Sequence, residues 1–539
     1  MKPTGTLNIA LYPGTTLNWW PAFPTAANCG RPGGITGPDM YLPLVWLNSA
    51  GNISFGTHSL ASAISVNSAD TRFTITLNPK WHWSNGTPVT AQDVQYYYQL
   101  MQGSVQGTQP ITYCYAGSGG FPKDWGSVTT QGTHTLIVAT TTSVNPAWFE
   151  RNGLGQLVAI PKATWDKYSS MSKELSWIKS IGNEPLNPVY KVVDGPYYPV
   201  SLVANDYWRF AANPHYDGSR PPAYAHVNYV YEASATSEMA AMEKGQIQMT
   251  FFLPMSMLKA AQSLKGYGVV NEPSYGFYYI AVNFHSNAAG VGNLFSKLYI
   301  RQALQLGINQ PGIISALYHG YAVPTYGPVP VAPHNAFFDY GQTNSYPYDP
   351  ARGKALLEAH GWTMVNGVMT KNGQQLAFPY WYTAGTSSTN EAVLLQQGWA
   401  QEGIKVTPEP EPIGTLYATI SNPAQSNKWA LAGGTVFGWL YIPDFYPSGG
   451  SLFATGAGFN LGGYSDPTMD SLIASTYQGG TPQQVTSRFT AYQLYAAQQL
   501  PVLYQPTGAS LWPVSNQVKG FRSGFDTIEQ YVPWNWLKP

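Results

Sequence analysis

Hydrophobic and polar side chains alternate at the start of the segment 73–101, and turn and helix signals follow. Hydrophobic residues alternate with threonines over 73–77, which is the two-residue period of a half-buried strand. Asn85-Gly86 follows, a pair that tolerates positive φ and predicts a tight turn. Thr90 is a favourable N-cap, and the Asp93 side chain can accept a hydrogen bond from the Thr90 backbone amide. The pattern therefore predicts a helix over about 91–101.

Similar strand, turn and helix signals recur along the chain and predict a mixture of strands and helices. The helix predicted over 351–360 carries all of its end signals, with Asp349 as N-cap, Pro350 in the first turn and Gly361 just past the end. Strands are predicted at 5–11, 134–139, 278–284, 403–406 and 500–504, and further helices at 233–244, 298–304 and 390–401.

The length and the charge balance restrict the class of protein. At 539 residues the chain is too long for one hydrophobic core, and two or three domains are expected. No apolar run approaches 18 residues, so no membrane-spanning helix is predicted. Lys and Arg number 27 against 27 Asp and Glu, without a basic cluster. This balance argues against nucleic acid or an anionic membrane surface as a partner.

Charged residues make up only 10% of the chain, whereas globular chains average roughly 25%. One explanation is exposure to acid, since a chain with few carboxylates gains little unbalanced positive charge as the pH falls. The other explanation is drift in the composition of a secreted protein. The sequence leaves both open.

The cysteines and the first residues bear on the cellular compartment. Cys29 and Cys114 permit at most one internal disulfide, and the sequence does not decide whether it forms. Residues 1–7 lack the charged start and apolar core of a signal peptide. Either the protein is cytoplasmic or its leader ends before the first residue.

No catalytic motif is present. The chain lacks the His-Glu-x-x-His, Gly-x-Ser-x-Gly and Gly-x-x-x-x-Gly-Lys-Ser/Thr patterns, and its nine histidines never form a close pair. Acids are too scarce to favour a pair of carboxylates for glycoside hydrolysis. The sequence therefore predicts no enzyme, no cofactor and no metal site.

The run from Leu77 to Val94 closely resembles the signature of the family 5 solute-binding proteins of ABC importers. These are extracytoplasmic receptors for oligopeptides, dipeptides, nickel chelates and some oligosaccharides. The family usually has Asp where this chain has Asn85, which keeps the turn chemistry. Looser family motifs follow in the expected order over nearly the whole chain, among them Gly195-Pro196-Tyr197, the Asn213–Pro222 turn region, Arg301-Gln302-Ala303-Leu304 and Leu500–Tyr504.

The resemblance implies an α/β, two-lobed periplasmic-binding-protein fold of type II, with mixed sheets and an extra domain inserted in the first lobe. It implies that ligand is held between the lobes and that a leader was removed. The expected parts are a first lobe of residues 1–45, 185–278 and 501–539, an inserted small domain of residues 46–184, and a second lobe of residues 279–500.

The best candidate for ligand recognition is the run from Gly438 to Pro447. It resembles the Gly-Trp-x-x-Asp-Tyr-x-x-Pro element of peptide-binding family members, in which the Asp receives the α-ammonium of the peptide and the Trp forms a pocket wall. Ile442 stands where the family has its Asp, and a short insertion would bring Asp444 into that role. If Asp444 does not take it, a ligand class other than peptides gains support.

Other aromatic residues are candidates by their place in the chain. Trp19 and Trp20 follow the first predicted strand, where the segment borders the binding cleft in the family. The alternative for these aromatics is packing in a hydrophobic core. The expected ligand-binding residues are Gly438, Trp439, Tyr441, Asp444, Asn460, Trp19 and Trp20.

The resemblance implies a monomeric, periplasmic or cell-surface receptor that captures short peptides and delivers them to an ABC permease in the membrane. Two alternatives stay open. Aromatic residues make up 14% of the chain, and flat rings also stack on sugars, which favours an oligosaccharide receptor of the same family. A secreted hydrolase is the alternative from a different class of protein.

Overall fold

The structure is a computed structural model that describes residues 2–11, 17, 19–25, 39–56, 58–250, 253–339, 341, 346–435, 437–442, 445–525 and 534–539. The chain divides into two units. The first consists of residues 1–271, 443–445 and 510–539, and the second of residues 272–442 and 446–509. The finer division into two lobes and an inserted domain stays a prediction.

Twenty-one strands are present in the described residues. They are β1 (Thr6–Ala10), β2 (Ala61–Val66), β3 (Arg72–Leu77), β4 (Trp125–Gln131), β5 (Thr135–Thr140), β6 (Tyr197–Val203), β7 (Tyr207–Ala212), β8 (His226–Val230), β9 (Met249–Thr250), β10 (Tyr267–Pro273), β11 (Gly276–Val282), β12 (Ala322–Val323), β13 (Thr363–Val365), β14 (Val368–Lys371), β15 (Gln374–Gln375), β16 (Ala377–Thr383), β17 (Lys405–Glu411), β18 (Leu431–Gly433), β19 (Gly438–Leu440), β20 (Val502–Gln505) and β21 (Thr507–Ser515).

The α-helices of the described residues are mostly short. They are α1 (Ala91–Ser104), α2 (Pro146–Trp148), α3 (Lys162–Trp165), α4 (Met171–Ile181), α5 (Ala235–Glu243), α6 (Leu258–Ser263), α7 (Leu298–Leu306), α8 (Gln310–Leu317), α9 (Pro350–Ala359), α10 (Thr386–Gln401), α11 (Ile413–Ile420), α12 (Gly450–Phe453), α13 (Pro467–Thr476), α14 (Pro482–Gln499) and α15 (Phe521–Gly524). Within the described residues, none of them combines the length and the apolar character needed to cross a bilayer.

The largest sheet has eight strands and is mixed. Strands β10, β21, β9, β1, β8, β7 and β6 lie side by side in that order, and β12 pairs with β21. Strand β1 runs parallel to β8 and β9, whereas β6, β7 and β8 are antiparallel neighbours. Leu7 and Ile9 of β1 are fully buried, and because alternate side chains of a strand point to the same face, this face of the sheet packs against the core.

A second, four-stranded sheet of the first unit carries the strand, turn and helix predicted from residues 73–101. Strand β3 pairs antiparallel with β2 and β5, and β4 pairs with β5. Gly86 has a φ of +84°, and its amide donates a hydrogen bond to the Trp83 carbonyl at 2.8 Å. The tight turn and the following helix are confirmed, with α1 ending at Ser104 rather than near residue 101.

The side chain of Asp93 links the turn region to the start of its own helix, α1, and to the start of α3. Its Oδ2 accepts hydrogen bonds from the backbone amide and the hydroxyl of Thr90, both at 2.8 Å, and from the Trp83 indole at 3.4 Å. Its Oδ1 accepts from the backbone amide of Lys162 at 2.8 Å. One buried carboxylate therefore caps α1, orients a buried Trp and fixes the start of α3.

The second unit is built on a six-stranded sheet. Strand β16 runs parallel to β17 and β18, whereas β11 is antiparallel to β18, β19 and β20. The small antiparallel sheet of β13, β14 and β15 lies in the same unit. The mixed α/β character predicted from the sequence is confirmed in both units.

The structure shows that a disulfide forms, which the sequence left open. Cys114 takes part in a disulfide, and Cys29, which lies outside the described residues, is the only other cysteine in the sequence. The backbone amide of Cys114 donates to the Pro24 carbonyl at 3.2 Å, and Thr25 forms an antiparallel bridge with Tyr113. The chain just before residue 26 therefore runs beside residues 113–114.

We expect Asp93→Ala to lower the free energy of unfolding by about 3 kcal/mol, because one buried and three part-buried donors lose their acceptor at once. Urea unfolding measured by circular dichroism tests this. The matched control is Asp206→Ala, an exposed carboxylate whose removal is expected to change stability by less than about 0.5 kcal/mol. Equal effects of the two substitutions would contradict the role of Asp93.

Candidate ligand-binding site

The pairing of β11 places β19 at an edge of the second unit's sheet. Tyr278 of β11 pairs with both Gly438 and Gln505, and Ala281 pairs with both Ala432 and Val502. Because a residue in a sheet has one partner on each side, β18 and β19 lie on one side of β11 and β20 lies on the other.

The outer edge of β19 has no strand beside it among the described residues. Strand β16 covers the outer edge of β18, and its last partner there is Gly433, paired with Tyr382. Strand β19 begins five residues later, past that last pair. An uncovered strand edge presents backbone N–H and C=O groups to any extended chain that comes alongside.

Trp439 forms an aromatic surface at this edge. It pairs with the fully buried Phe277 across the β11 and β19 ladder, and its own ring is half-buried. Phe459 packs edge-on against it with ring centroids 4.9 Å apart, and Tyr441 does so at 6.3 Å. The side chain of Phe459 is 37% exposed, so two aromatic rings lie at the surface beside the open strand edge.

Gly438 is required by packing. A Cβ at this position would lie 2.3 Å from the Tyr278 ring and 2.7 Å from the Phe277 carbonyl oxygen. These are distances that real Cβ atoms do not adopt, so any side chain would push β19 away from β11. Gly438 thus allows β19 to pair where it does and offers no side chain of its own.

Tyr441 anchors the end of β19 and is itself buried. Its hydroxyl donates to the Pro328 carbonyl at 2.7 Å, and its backbone amide donates to the Tyr275 carbonyl at 2.9 Å. Only 1% of the residue is exposed. The structure therefore places Tyr441 behind Trp439, in contact with the backbone of two other segments.

Asn460 shapes the loop that carries Phe459. Its side-chain amide donates to the carbonyls of Ala454 and Tyr464 at 3.0 and 2.7 Å, and its Oδ1 accepts from the Tyr464 amide at 2.9 Å. Asn460 thus closes residues 454–464 into a tight loop. Phe459 is a residue that the sequence analysis missed, although a large apolar residue in a glycine-rich loop could have indicated a surface role.

Trp19 and Trp20 belong to the first unit and are buried within it. The Trp19 indole donates to the Phe23 carbonyl at 2.9 Å, and its ring fills the space where a Cβ at Gly182 would stand, 2.2 Å away. Trp20 is 3% exposed and stacks on Phe210 with ring centroids 5.8 Å apart. Each of the two rings packs within the first unit.

Asp444, the proposed partner of a peptide ammonium, lies outside the described residues. In the second unit, Gly438, Trp439, Tyr441 and Asn460 come together around the open edge of β19, through the contacts given above. The predicted ligand-binding role of these residues, and of Trp19 and Trp20, stays a prediction.

Two charged groups of the second unit serve its own fold. The guanidinium of Arg301 donates to the carbonyls of Phe295 and Gln499, and burial lowers its pKa to about 10. Burial alone would raise the pKa of Asp466, but hydrogen bonds from the Tyr495 hydroxyl, the Thr468 amide and others lower it. Asp466 is the N-cap of α13.

The described part of the chain also bears on metal binding. No group of three or more His, Cys, Asp or Glu side chains within it lies close enough to hold one ion.

Comparison with known proteins gives relatives of low identity that cover most of the chain. The oligopeptide-binding protein OppA of Lactococcus lactis subsp. cremoris is 22% identical over 498 residues, which cover 87% of this chain and 80% of the relative. The glutathione-binding protein GsiB of Pectobacterium atrosepticum is 25% identical over 312 residues, covering 55% of this chain and 54% of that protein.

Solved structures share the fold. The oligopeptide-binding protein AppA of Bacillus subtilis, in complex with a nonapeptide, has a TM-score of 0.78 at 17% identity, and the match covers 100% of this chain and 99% of AppA. The predicted periplasmic-binding-protein fold is thereby confirmed. The model of the bacterial extracellular solute-binding proteins, family 5, matches residues 57–458. The chain therefore belongs to the family 5 bacterial extracellular solute-binding proteins.

Proposed function

We propose that this protein is the extracytoplasmic receptor of an ABC importer, and that it captures short peptides and delivers them to the permease. The observation that carries the proposal is the uncovered edge of β19 next to the rings of Trp439 and Phe459. The relatives OppA and GsiB are an oligopeptide-binding and a glutathione-binding protein, which supports a peptide ligand.

An open strand edge suits a ligand whose sequence varies. An extended peptide can add to such an edge by main-chain hydrogen bonds, which every peptide offers whatever its side chains are. Alternate side chains of the added strand then point to one face, where aromatic rings provide apolar contact. This chemistry explains how one receptor accepts many short peptides.

The residues around β19 take different roles in this proposal. Trp439 and Phe459 contact the ligand, whereas Gly438, Tyr441 and Asn460 hold the strand and the loop in place. Asp444 receives the α-ammonium of the peptide, as the family resemblance implies, by a charge-assisted hydrogen bond. A ligand contact by Trp19 and Trp20 is a separate prediction, because their rings are buried in the first unit.

A receptor is expected to retain ligand through purification. Mass spectrometry of small molecules released from the denatured protein should show a mixture of short peptides. Sugars or a metal chelate in their place would reject the peptide assignment. Turnover of peptide or sugar substrates by the pure protein would support the hydrolase alternative.

Asp444→Asn tests recognition of the peptide N-terminus. Loss of a charge-assisted bond is expected to weaken the binding of a free-amine peptide by about 1.5–3 kcal/mol, roughly 10- to 150-fold. The acetylated form of the same peptide should bind the wild type and the variant equally. Asp206→Asn, at an exposed position of the first unit, serves as the matched control. Unchanged affinity of Asp444→Asn for the free amine would remove Asp444 from the site.

Trp439→Ala and Tyr441→Phe should separate ligand contact from support. Calorimetric titration with the co-purified peptide is expected to show about tenfold or more weaker binding for Trp439→Ala, since an aromatic anchor is lost. Tyr441→Phe should bind within about twofold of wild type but lose about 1–2 kcal/mol of stability, because the Pro328 carbonyl loses its buried donor. The reverse pattern would contradict these roles.

A further inference from the structure

Glu402 is a carboxyl buried without a hydrogen-bond partner. It follows α10, its exposed fraction is 0%, and neither of its side-chain oxygens has a partner among the described residues. A Cβ at Gly353 would lie 2.1 Å from Oε1, and one at Gly307 would lie 3.2 Å away. The carboxyl thus occupies space that two glycines leave free, and it packs directly against their backbone.

No ion pair of the described residues includes Glu402. The indole of Trp399, which also packs near Gly307, donates to the Leu304 carbonyl at 2.8 Å. The charged group that acts on Glu402 is Asp349, the N-cap of α9, and its charge disfavours a second negative charge nearby.

Glu391 lies on the same helix and is 1% exposed, with its Oε2 unpartnered among the described residues. Three side chains from other elements face this region, namely Tyr318 after α8, Tyr380 on β16 and Gln505 on β20. The hydroxyls of both tyrosines, and both polar atoms of Gln505, also have no partner in the described part of the chain. Burial raises the pKa of Glu391, and the nearby Gln505 side chain lowers it by a smaller amount.

A buried carboxylate without a positively charged neighbour is too costly to keep. Transfer of an isolated ion into a protein interior costs many kcal/mol, and the group becomes neutral instead. The described groups that contact or act on the two glutamates are tyrosines, an amide, an indole, glycine backbone and another acid. Because none of them can balance a negative charge, a proton on each carboxyl is the species that fits these surroundings.

We propose that Glu391 and Glu402 are two proton-binding sites of the second unit, that each keeps its proton in the folded protein at neutral pH, and that they make the fold more stable as the medium becomes acidic. The proton is the ligand of each site. This inference is independent of the peptide ligand, since it concerns the interior of the unit.

The expected pH dependence has a definite sign. Burial raises the pKa of Glu391 to about 8 and that of Glu402 to about 10, from 4.5. Between pH 4.5 and those values, the unfolded chain releases protons that the folded chain keeps. Each group therefore raises the unfolding equilibrium constant by about tenfold per pH unit. Its stabilising effect is complete below about pH 4.5 and is lost as the pH rises to the folded pKa.

Two other buried titratable groups, His58 and Glu238, determine the pH range in which the effect of Glu391 and Glu402 on stability is best measured. His58 acts in the opposite direction, because burial, with Arg220 and Lys80 nearby, lowers its pKa to about 3 from 6.5. The stability that His58 contributes is therefore lost mainly as the pH falls below 6.5. Glu238 of the first unit has a pKa raised to about 8 by burial and acts in the same direction as Glu391. The window from pH 6.5 to 7.5 therefore isolates the buried carboxyls.

Loss of the described ion pairs in acid is expected to change the stability of the fold only slightly. The three ion pairs of the described residues join side chains that are 32% to 51% exposed, and exposed pairs contribute little to stability. The buried carboxyls and the low charge content of the sequence therefore act together in favour of acid stability.

The test is urea unfolding of the full chain at pH 6.5 and 7.5, comparing wild type with the double variant Glu391→Gln and Glu402→Gln. Glutamine matches the shape of the neutral acid and cannot ionise. The wild-type unfolding constant should rise by about a hundredfold more over this pH unit than that of the double variant. Glu358→Gln, at an exposed position on α9, is the matched control and should behave as wild type. Equal pH dependence in wild type and double variant would overturn the proposal.

Infrared spectroscopy keeps the proposal testable if the double variant does not fold. The folded wild type at pH 7 should show absorption of protonated carboxyl groups, reduced in each single variant and unchanged in Glu358→Gln. A wild-type spectrum at pH 7 without protonated carboxyl absorption would refute both proton sites.

Discussion

The close pairing of β11 with its neighbours is the constraint on which the second unit depends. A Cβ at Gly276 would lie 2.1 Å from the Trp439 carbonyl oxygen, and one at Gly438 would lie 2.3 Å from the Tyr278 ring. Glycine at both positions lets two strands approach at the point where one of them ends the sheet. The aromatic surface and the uncovered strand edge both follow from that approach.

Local rules predicted the elements whose signals lie within a few residues of each other. The strand, turn and helix over residues 73–104 are such a case, since the Asn85-Gly86 turn and the Thr90 cap act on their immediate neighbours. Helix α10 shows the limit of these rules. It begins at Thr386 after Gly385, four residues before the predicted start, and Ser388 in its first turn bonds to Thr383 and Thr435.

The candidate site was predictable only in part, for the same reason. The family motif located Gly438 and Trp439, because their order in the chain is itself the signal. Phe459 reaches Trp439 only through the loop that Asn460 closes by bonds to Ala454 and Tyr464. The hydrogen-bond partners of Tyr441 and the residues that surround the buried glutamates likewise come from distant parts of the chain. Such contacts depend on tertiary packing, which no local pattern encodes.

The two faces of the β11 region have different chemistry. Side chains of directly paired residues point to the same face of a sheet, so Tyr278 and Gln505 share one face, while Phe277 and Trp439 share the other. The Gln505 side chain lies close enough to Glu391 to affect its pKa, so the proposed proton site at Glu391 lies on the first of these faces. The proposed ligand contacts lie on the second. The fold can therefore gain acid stability from the buried neutral carboxyl of Glu391, on the face of the sheet opposite Trp439.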